Sequence, residues 1–243
     1  MKRIISFVLV SGLMGIVTVS TWADEPPPPW KGSVGLAYLE TSGNTSSRTF
    51  SGELKVERNF SSSKLTLQGS AMYAENNDVT ADENWYGSLK YDKNLNERSY
   101  LYLLQKTERN TFQGIEFRYT YQGGLGYYLL NSSADVLKTE LGAGYIHEDQ
   151  VNPFPDRGFP SARVFAGYTH NFTEKNRFDE WVEYLPSLKN GQDYLINEET
   201  SVITNLVGSL ALKVSFTVAY DNEPPPDHEK SDRTFKTALL YTF

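Results

Sequence analysis

The chain has 243 residues, with 23 Lys and Arg against 30 Asp and Glu, a net charge of −7, no cysteine, and 16 Tyr, 13 Phe and 4 Trp. An acidic chain lacks the basic surface that nucleic acid requires, and the missing cysteines exclude disulfides, thiolate metal sites and a lipid-modified N-terminal cysteine. The mean hydropathy of −0.47 argues against a helical membrane protein but not against a barrel, whose strands alternate polar and apolar residues.

Residues 1–23 read as a cleavable export signal. Lys2 and Arg3 precede a largely apolar run from Ile4 to Val19, and Thr21-Trp22-Ala23 ends in a small residue suited to cleavage before Asp24. Cleavage there removes two of the 23 basic residues and none of the 30 acidic ones, taking the net charge from −7 to −9. Residues 24–30 form a Pro-rich periplasmic lead-in, and residues 31–243 a single barrel domain.

Segments with a period of two then recur, separated by turn residues. Val34, Leu36 and Tyr38 share one face, and Thr41-Ser42-Gly43-Asn44-Thr45 makes a turn. Phe50, Leu54 and Val56 oppose Glu53, Lys55 and Glu57. Leu65, Leu67, Ala71 and Tyr73 oppose Lys64, Thr66, Gln68 and Ser70, and Trp85, Leu89 and Tyr91 oppose Ser88 and Lys90. Tyr100 to Leu104 is apolar on both sides, so its faces stay unassigned. The sixth segment is the clearest, with Ile115, Phe117, Tyr119, Tyr121, Leu125 and Tyr127 against Glu116, Arg118, Thr120, Gln122, Gly124 and Gly126.

Leu137, Leu141, Ala143 and Tyr145 follow, against Lys138 and Glu140, and then Ala162, Val164, Ala166 and Tyr168, with Arg163 on the other face. Glu180, Glu198 and Glu199 blur the ninth and tenth segments, and the stretch from Leu212 to Tyr220 restores the pattern against Lys213. The last segment, Arg233 to Phe243, places Phe235, Leu239, Tyr241 and Phe243 on one face and Lys236 on the other, broken by Leu240.

Twelve segments result, predicting an all-β, 12-stranded antiparallel up-and-down transmembrane barrel of the outer-membrane type. An even count puts both chain ends on one side. Connections after even strands are short, near residues 60, 95, 132, 174 and 208, whereas Glu75 to Asp82, Glu148 to Phe159 and Asn222 to Asp232 are longer. Short periplasmic turns and longer external loops are the expected asymmetry. A basic side chain facing lipid at the midplane costs about 2–4 kcal/mol. Glu53, Lys55, Glu57, Lys90, Glu116, Arg118, Lys138, Glu140, Arg163, Lys213 and Lys236 are therefore expected to line the lumen. Phe235, Leu239, Tyr241 and Phe243 are expected to form the C-terminal signal read by the barrel assembly machinery, with the last strand closing on the first. Trp30, Tyr38, Tyr73, Trp85, Tyr145, Tyr168 and Tyr241 suit interfacial girdles.

Trp30-Lys31-Gly32 leading into Thr41-Ser42-Gly43-Asn44-Thr45, with Tyr220-Asp221-Asn222-Glu223-Pro224-Pro225-Pro226 and Lys230-Ser231-Asp232-Arg233 before the last strand, resembles the salt-induced outer-membrane proteins. These form a bacterial family of unknown function, number 481. Asn197 with Glu199 is similar too. The resemblance covers essentially the whole mature chain and implies an outer-membrane β-barrel connected with salt or osmotic stress; it supplies no catalytic residues.

An enzyme acting on lipid would need a serine, a histidine base and an orienting polar group within reach. His147, His170 and His228 are the histidines available, and none sits in the His-x-Ser spacing of an outer-membrane phospholipase. No catalytic residue, resident metal or cofactor is assigned. Acidic loops carrying Glu75, Asp82, Glu148, Asp156, Glu223 and Asp232 could engage divalent cations bridging to lipopolysaccharide, although solvated loops are the simpler reading. Expected partners are outer-membrane lipid, lipopolysaccharide and the assembly machinery. A structural barrel and a narrow pore for small solutes both stay open, with a lipid-acting enzyme or a soluble periplasmic ligand-binding barrel as alternatives.

Overall fold

A computed structural model describes residues 30–41, 47–77 and 79–243. The export signal, the lead-in as far as residue 29 and most of the first turn lie outside the described residues. Twelve strands run in order: β1 Lys31–Thr41, β2 Ser47–Asn59, β3 Ser63–Asn76, β4 Val79–Asn94, β5 Ser99–Asn110, β6 Ile115–Asn131, β7 Asp135–Gln150, β8 Arg157–Asn171, β9 Asn176–Pro186, β10 Tyr194–Val207, β11 Leu210–Asp221 and β12 Ser231–Thr242. Each pairs antiparallel with its chain neighbours, and β1 pairs with β12 to close the barrel.

Closure follows from the alternation. The outward residues Leu36, Leu67, Leu103, Leu125, Leu141, Val164, Val182, Val202 and Leu239 are all exposed, and together they form an apolar belt that lipid covers. Within hydrocarbon no water satisfies a backbone edge, so a ring is the sheet topology that spans it. Aromatic rings gather at the strand ends, including Tyr184, Tyr194 and Tyr220 with centroids 5.6 and 5.8 Å apart at the long-loop end.

The structure resolves or corrects several sequence readings. Tyr100 and Tyr102 point into the barrel, each 2% exposed, while Leu101 and Leu103 face out. Leu240 does not break the terminal strand's pattern: it packs inside with Ala211 and Ala238. Glu75 to Asp82 is not a long loop, because β3 continues to Asn76 and β4 starts at Val79. Tyr73 donates to Glu75 and lies 3.4 Å from Thr80, tying the hairpin's polar side chains together beyond the belt. Glu180 and Glu198 share the outward face with Val182 and Val218, as the registers Tyr168↔Glu180 and Glu198↔Val218 require. Glu180 lies beside the interfacial Tyr168, where a charge costs about 0–1 kcal/mol, whereas Glu198 lies between Val182 and Val218.

One predicted lumenal residue is misplaced. The β6 register shifts between Ile115 and Phe117, turning Ile115 inward at 1% exposed. Glu116 then pairs at 3.2 Å with Arg109, which also reaches Glu83 and lies opposite outward-facing Trp85. A β-bulge inserts one residue and so breaks strict alternation, which is why the period-two reading fails at this position.

Candidate functional site in the barrel interior

Three charged networks fill the barrel. Near the long-loop end, Arg118 on β6 donates through Nε to Glu148 (2.5 Å), through Nη1 to Glu108 (2.9 Å) and through Nη2 to Asp221 on β11 (3.0 Å). Because β6 and β11 stand five places apart in a ring of twelve, this contact crosses the lumen. Arg157 reinforces it, pairing with Glu148 and donating to Asp221 at 3.1 Å. Glu148 is fully buried and Arg118 7% exposed, so both ions have left water and depend on each other.

A second network lies nearer the short turns. Glu140 accepts from Lys90 (2.7 Å), Arg163 (2.5 Å) and Tyr100 (2.6 Å), and Arg163 also donates to Glu183 (2.6 Å). Lys138 sits 5.3 Å over the Phe165 ring. In the third, Glu53 on β2 accepts from Lys236 on β12 (2.6 Å) and Lys213 on β11 (3.2 Å), and Lys213 reaches Glu199 at 2.9 Å. Lys55 and Glu57 form a partly exposed pair at 3.5 Å. Between the polar networks, Ile146, Phe159, Leu185 and Leu195 form a buried apolar cluster. The remaining space near Arg118 is a cavity of about 30 Å³ lined by Glu108, Arg118, Asn197 and Asp221, room for roughly one water molecule.

The β11–β12 connection folds over this mouth. Pro225 is buried against Gly114, where an added Cβ would come within 2.9 Å of the proline ring. His228 stands edge-on to Phe154 of the β7–β8 connection, and Glu223 receives Asn190 from the β9–β10 connection and, at its carbonyl, Arg157. Asp193 in the β9–β10 connection is also buried, 3.5 Å from Arg157. Burial pushes its carboxyl above the ordinary aspartate range, and Arg157 opposes that shift.

Of the residues expected inside, Glu53, Lys90, Arg118, Glu140, Arg163, Lys213 and Lys236 join these networks, Lys138 lies over Phe165 of the neighbouring strand, Lys55 and Glu57 pair only with each other, and Glu116 points elsewhere. Glu148 and Asp221 have the character of loop residues in the sequence, and Glu108, Glu183 and Arg157 carry no pattern that singles them out. A charged residue at an inward position near a strand end is the only signal that could have found them. His147 pairs with Asp149 at 2.9 Å, His170 with Asp135 at 2.8 Å, and His228 with the Pro226 carbonyl at 3.0 Å. Among the described residues no group of three or more His, Asp or Glu is arranged to hold a metal ion. The face formed by Phe235, Leu239, Tyr241 and Phe243 is exposed, with Tyr241 stacked on Phe243.

Residues 34–243 match the model of a family described as protein of unknown function, DUF481. The Escherichia coli K12 protein YdiY, described as uncharacterized, is 24% identical over 231 residues, covering 93% of this chain and 89% of that protein. Among solved structures, the COG4313 outer membrane channel from Pseudomonas putida F1 matches with a TM-score of 0.53 at 10% identity, over 93% of this chain and 100% of that one. The NanC porin matches with a TM-score of 0.52 at 9% identity, over 88% and 99%. The architecture is that of an outer-membrane barrel resembling porins and channels.

Proposed function

The chain belongs to the DUF481 family, and from that membership and its barrel we propose a non-enzymatic outer-membrane protein whose lumen is a narrow, normally barred passage for small solutes. In this reading the export signal is cleaved, the short-turn end faces the periplasm, and the long-loop end faces outward. The observation that carries it is the Arg118–Asp221 hydrogen bond across the lumen. A purely structural barrel needs inward charges neutralised, which neighbouring strands could do, whereas this bond, with the Arg157–Asp221 bond beside it, reaches from one side of the lumen to the other near the long-loop end. The loop over the mouth acts in the same direction. A barrel that conducts only when the bar and the loop yield suits an envelope under osmotic or salt stress, the role suggested by the family resemblance.

Planar-bilayer conductance of the refolded protein tests the proposal. The wild type should conduct in small, infrequent events, and Arg118→Ala or Asp221→Ala should raise open probability several-fold. Silence of all three proteins at every applied voltage would leave a structural barrel and remove the pore.

A further inference from the structure

The wall is not equally closed around the ring. β1 pairs with β12 only from Ser33↔Thr242 to Leu36↔Leu239, with Gly32 and Phe243 exchanging backbone bonds of 2.9 and 3.0 Å below them. On its other side β1 pairs with β2 all the way to Thr41↔Ser47, and β12 pairs with β11 to Tyr220↔Ser231. Both strands therefore continue as regular β-structure toward the long-loop end, yet no backbone pairing joins Ala37–Thr41 to Ser231–Ala238 among the described residues. The short β8–β9 ladder is different: there Ser161↔Ser187 and Leu188 N–H to the Pro160 carbonyl (2.8 Å) continue the join.

A backbone edge in hydrocarbon costs several kcal/mol per unpaired group, and this gap opens at the level of the girdle residue Tyr38, where water or a polar lipid head reaches it. Its floor is a charged cross-link. Lys236 reaches Glu53 beneath β1, passing Gly35, where an added Cβ would lie 2.6 Å from Glu53 Cγ. At its lower end Ala37 packs against the buried cluster of Ala211, Ala238 and Leu240. Leu39 shares the inward face with Ala37 but is 63% exposed, as expected of a residue at an open lip. On the outer lip stand Tyr38 and Phe235, 63% and 72% exposed. Arg233 shares the outward face of β12 with Phe235, is exposed and makes no ion pair with a described residue. Cations thus stand on both faces of β12, Lys236 held by Glu53 and Arg233 free of an ion pair with a described residue, while on the outer lip Tyr38 donates to Glu40 at 2.8 Å.

We propose that the upper β1–β12 seam is a lateral portal taking a membrane lipid with an anionic headgroup. The head enters between Arg233 and Lys236, and the acyl chains stay against Leu36, Tyr38 and Phe235. This rests on the outer-membrane reading above.

The test uses the mature protein folded in phosphatidylcholine vesicles doped with either phosphatidylglycerol or phosphatidylethanolamine carrying a photoactivatable headgroup, with adducts mapped by mass spectrometry. The phosphatidylglycerol probe should label Leu39 and Lys236 several-fold more than the phosphatidylethanolamine probe. Joining the lips by oxidation in Ala37→Cys/Ala238→Cys should abolish that labelling and reduction should restore it, with Tyr145 on the outer face labelled throughout. Arg233→Glu, which needs no cross-link, should lower the labelling several-fold by itself. Absent inner-lip adducts, adducts that survive both changes, or equal labelling by the two heads would overturn the portal while Tyr145 stays labelled. Loss of Tyr145 labelling as well would mean that the barrel is not in the bilayer and would overturn the outer-membrane reading.

Discussion

Gly114 and Pro225 meet face to face over the barrel mouth. Gly114 has φ 77°, in the left-handed region, and a Cβ at that position would stand 2.9 Å from the Pro225 ring and 3.0 Å from His228. Glycine is thus required twice, by its backbone and by the loop above it. Gly114→Val should lift the β11–β12 loop. Single-channel recording should then show longer open times than wild type, with the ion selectivity unchanged because the charged bar below is untouched. Unaltered gating would mean that the loop is not a lid.

Glu140 is the acceptor common to Lys90, Arg163 and Tyr100. Glu140→Gln keeps its volume but removes the charge shared by Lys90 and Arg163, which then hold only Asp92 (2.5 Å) and Glu183 (2.6 Å). Leaving a buried charge with no partner costs about 3–5 kcal/mol and this change costs less than that, so the denaturant midpoint of the folded barrel in vesicles should fall measurably. By contrast Arg48→Ala, at an exposed pair with Glu40, should leave it unchanged within error. Equal midpoints for Glu140→Gln and wild type would show that the network contributes nothing to stability.

Asp193 makes the docked β9–β10 loop sensitive to pH. Burial raises its carboxyl above the ordinary range, against Arg157 and together with Glu148, Asp221 and Glu223. A group whose docked pKa is raised adds stability that is fully present below its ordinary pKa and is lost as pH rises through the raised one. Protection of the Ser187 N–H, which bonds the Asp193 carbonyl at 2.8 Å, should therefore decline with rising pH after correction for intrinsic exchange. Asp193→Asn should flatten that profile, and a steeper profile in the variant would contradict the assignment.

Phe243 ends the chain with its backbone bonded both ways to Gly32 and its ring against Tyr241. Deleting it shortens a closing ladder that is already the briefest in the ring. The truncated protein should reach the outer membrane in several-fold lower amounts, read by heat-modifiable migration on gels. Once folded, its conductance should match wild type. Normal levels of folded protein would remove the role in assembly given to this residue.

Strand number, polarity and closure were legible in the order of the residues. A period of two repeated twelve times, with an even count, permits few structures when backbone groups cannot be left unpaired in lipid. The same periodicity located Arg118, Glu140 and Lys213 on inward faces, because side-chain direction in a strand is a local property. It failed where locality fails. The bulge at Ile115 moves Glu116 to the outside, and Leu240, which breaks the alternation along the chain, is inward and packs with Ala211 and Ala238. No pattern along the chain could show that Arg118 meets Asp221, 103 positions away, or that β1 leaves β12 after Leu36. Those relations depend on how the strands stagger as the ring closes, a property of the whole barrel that only the tertiary structure decides.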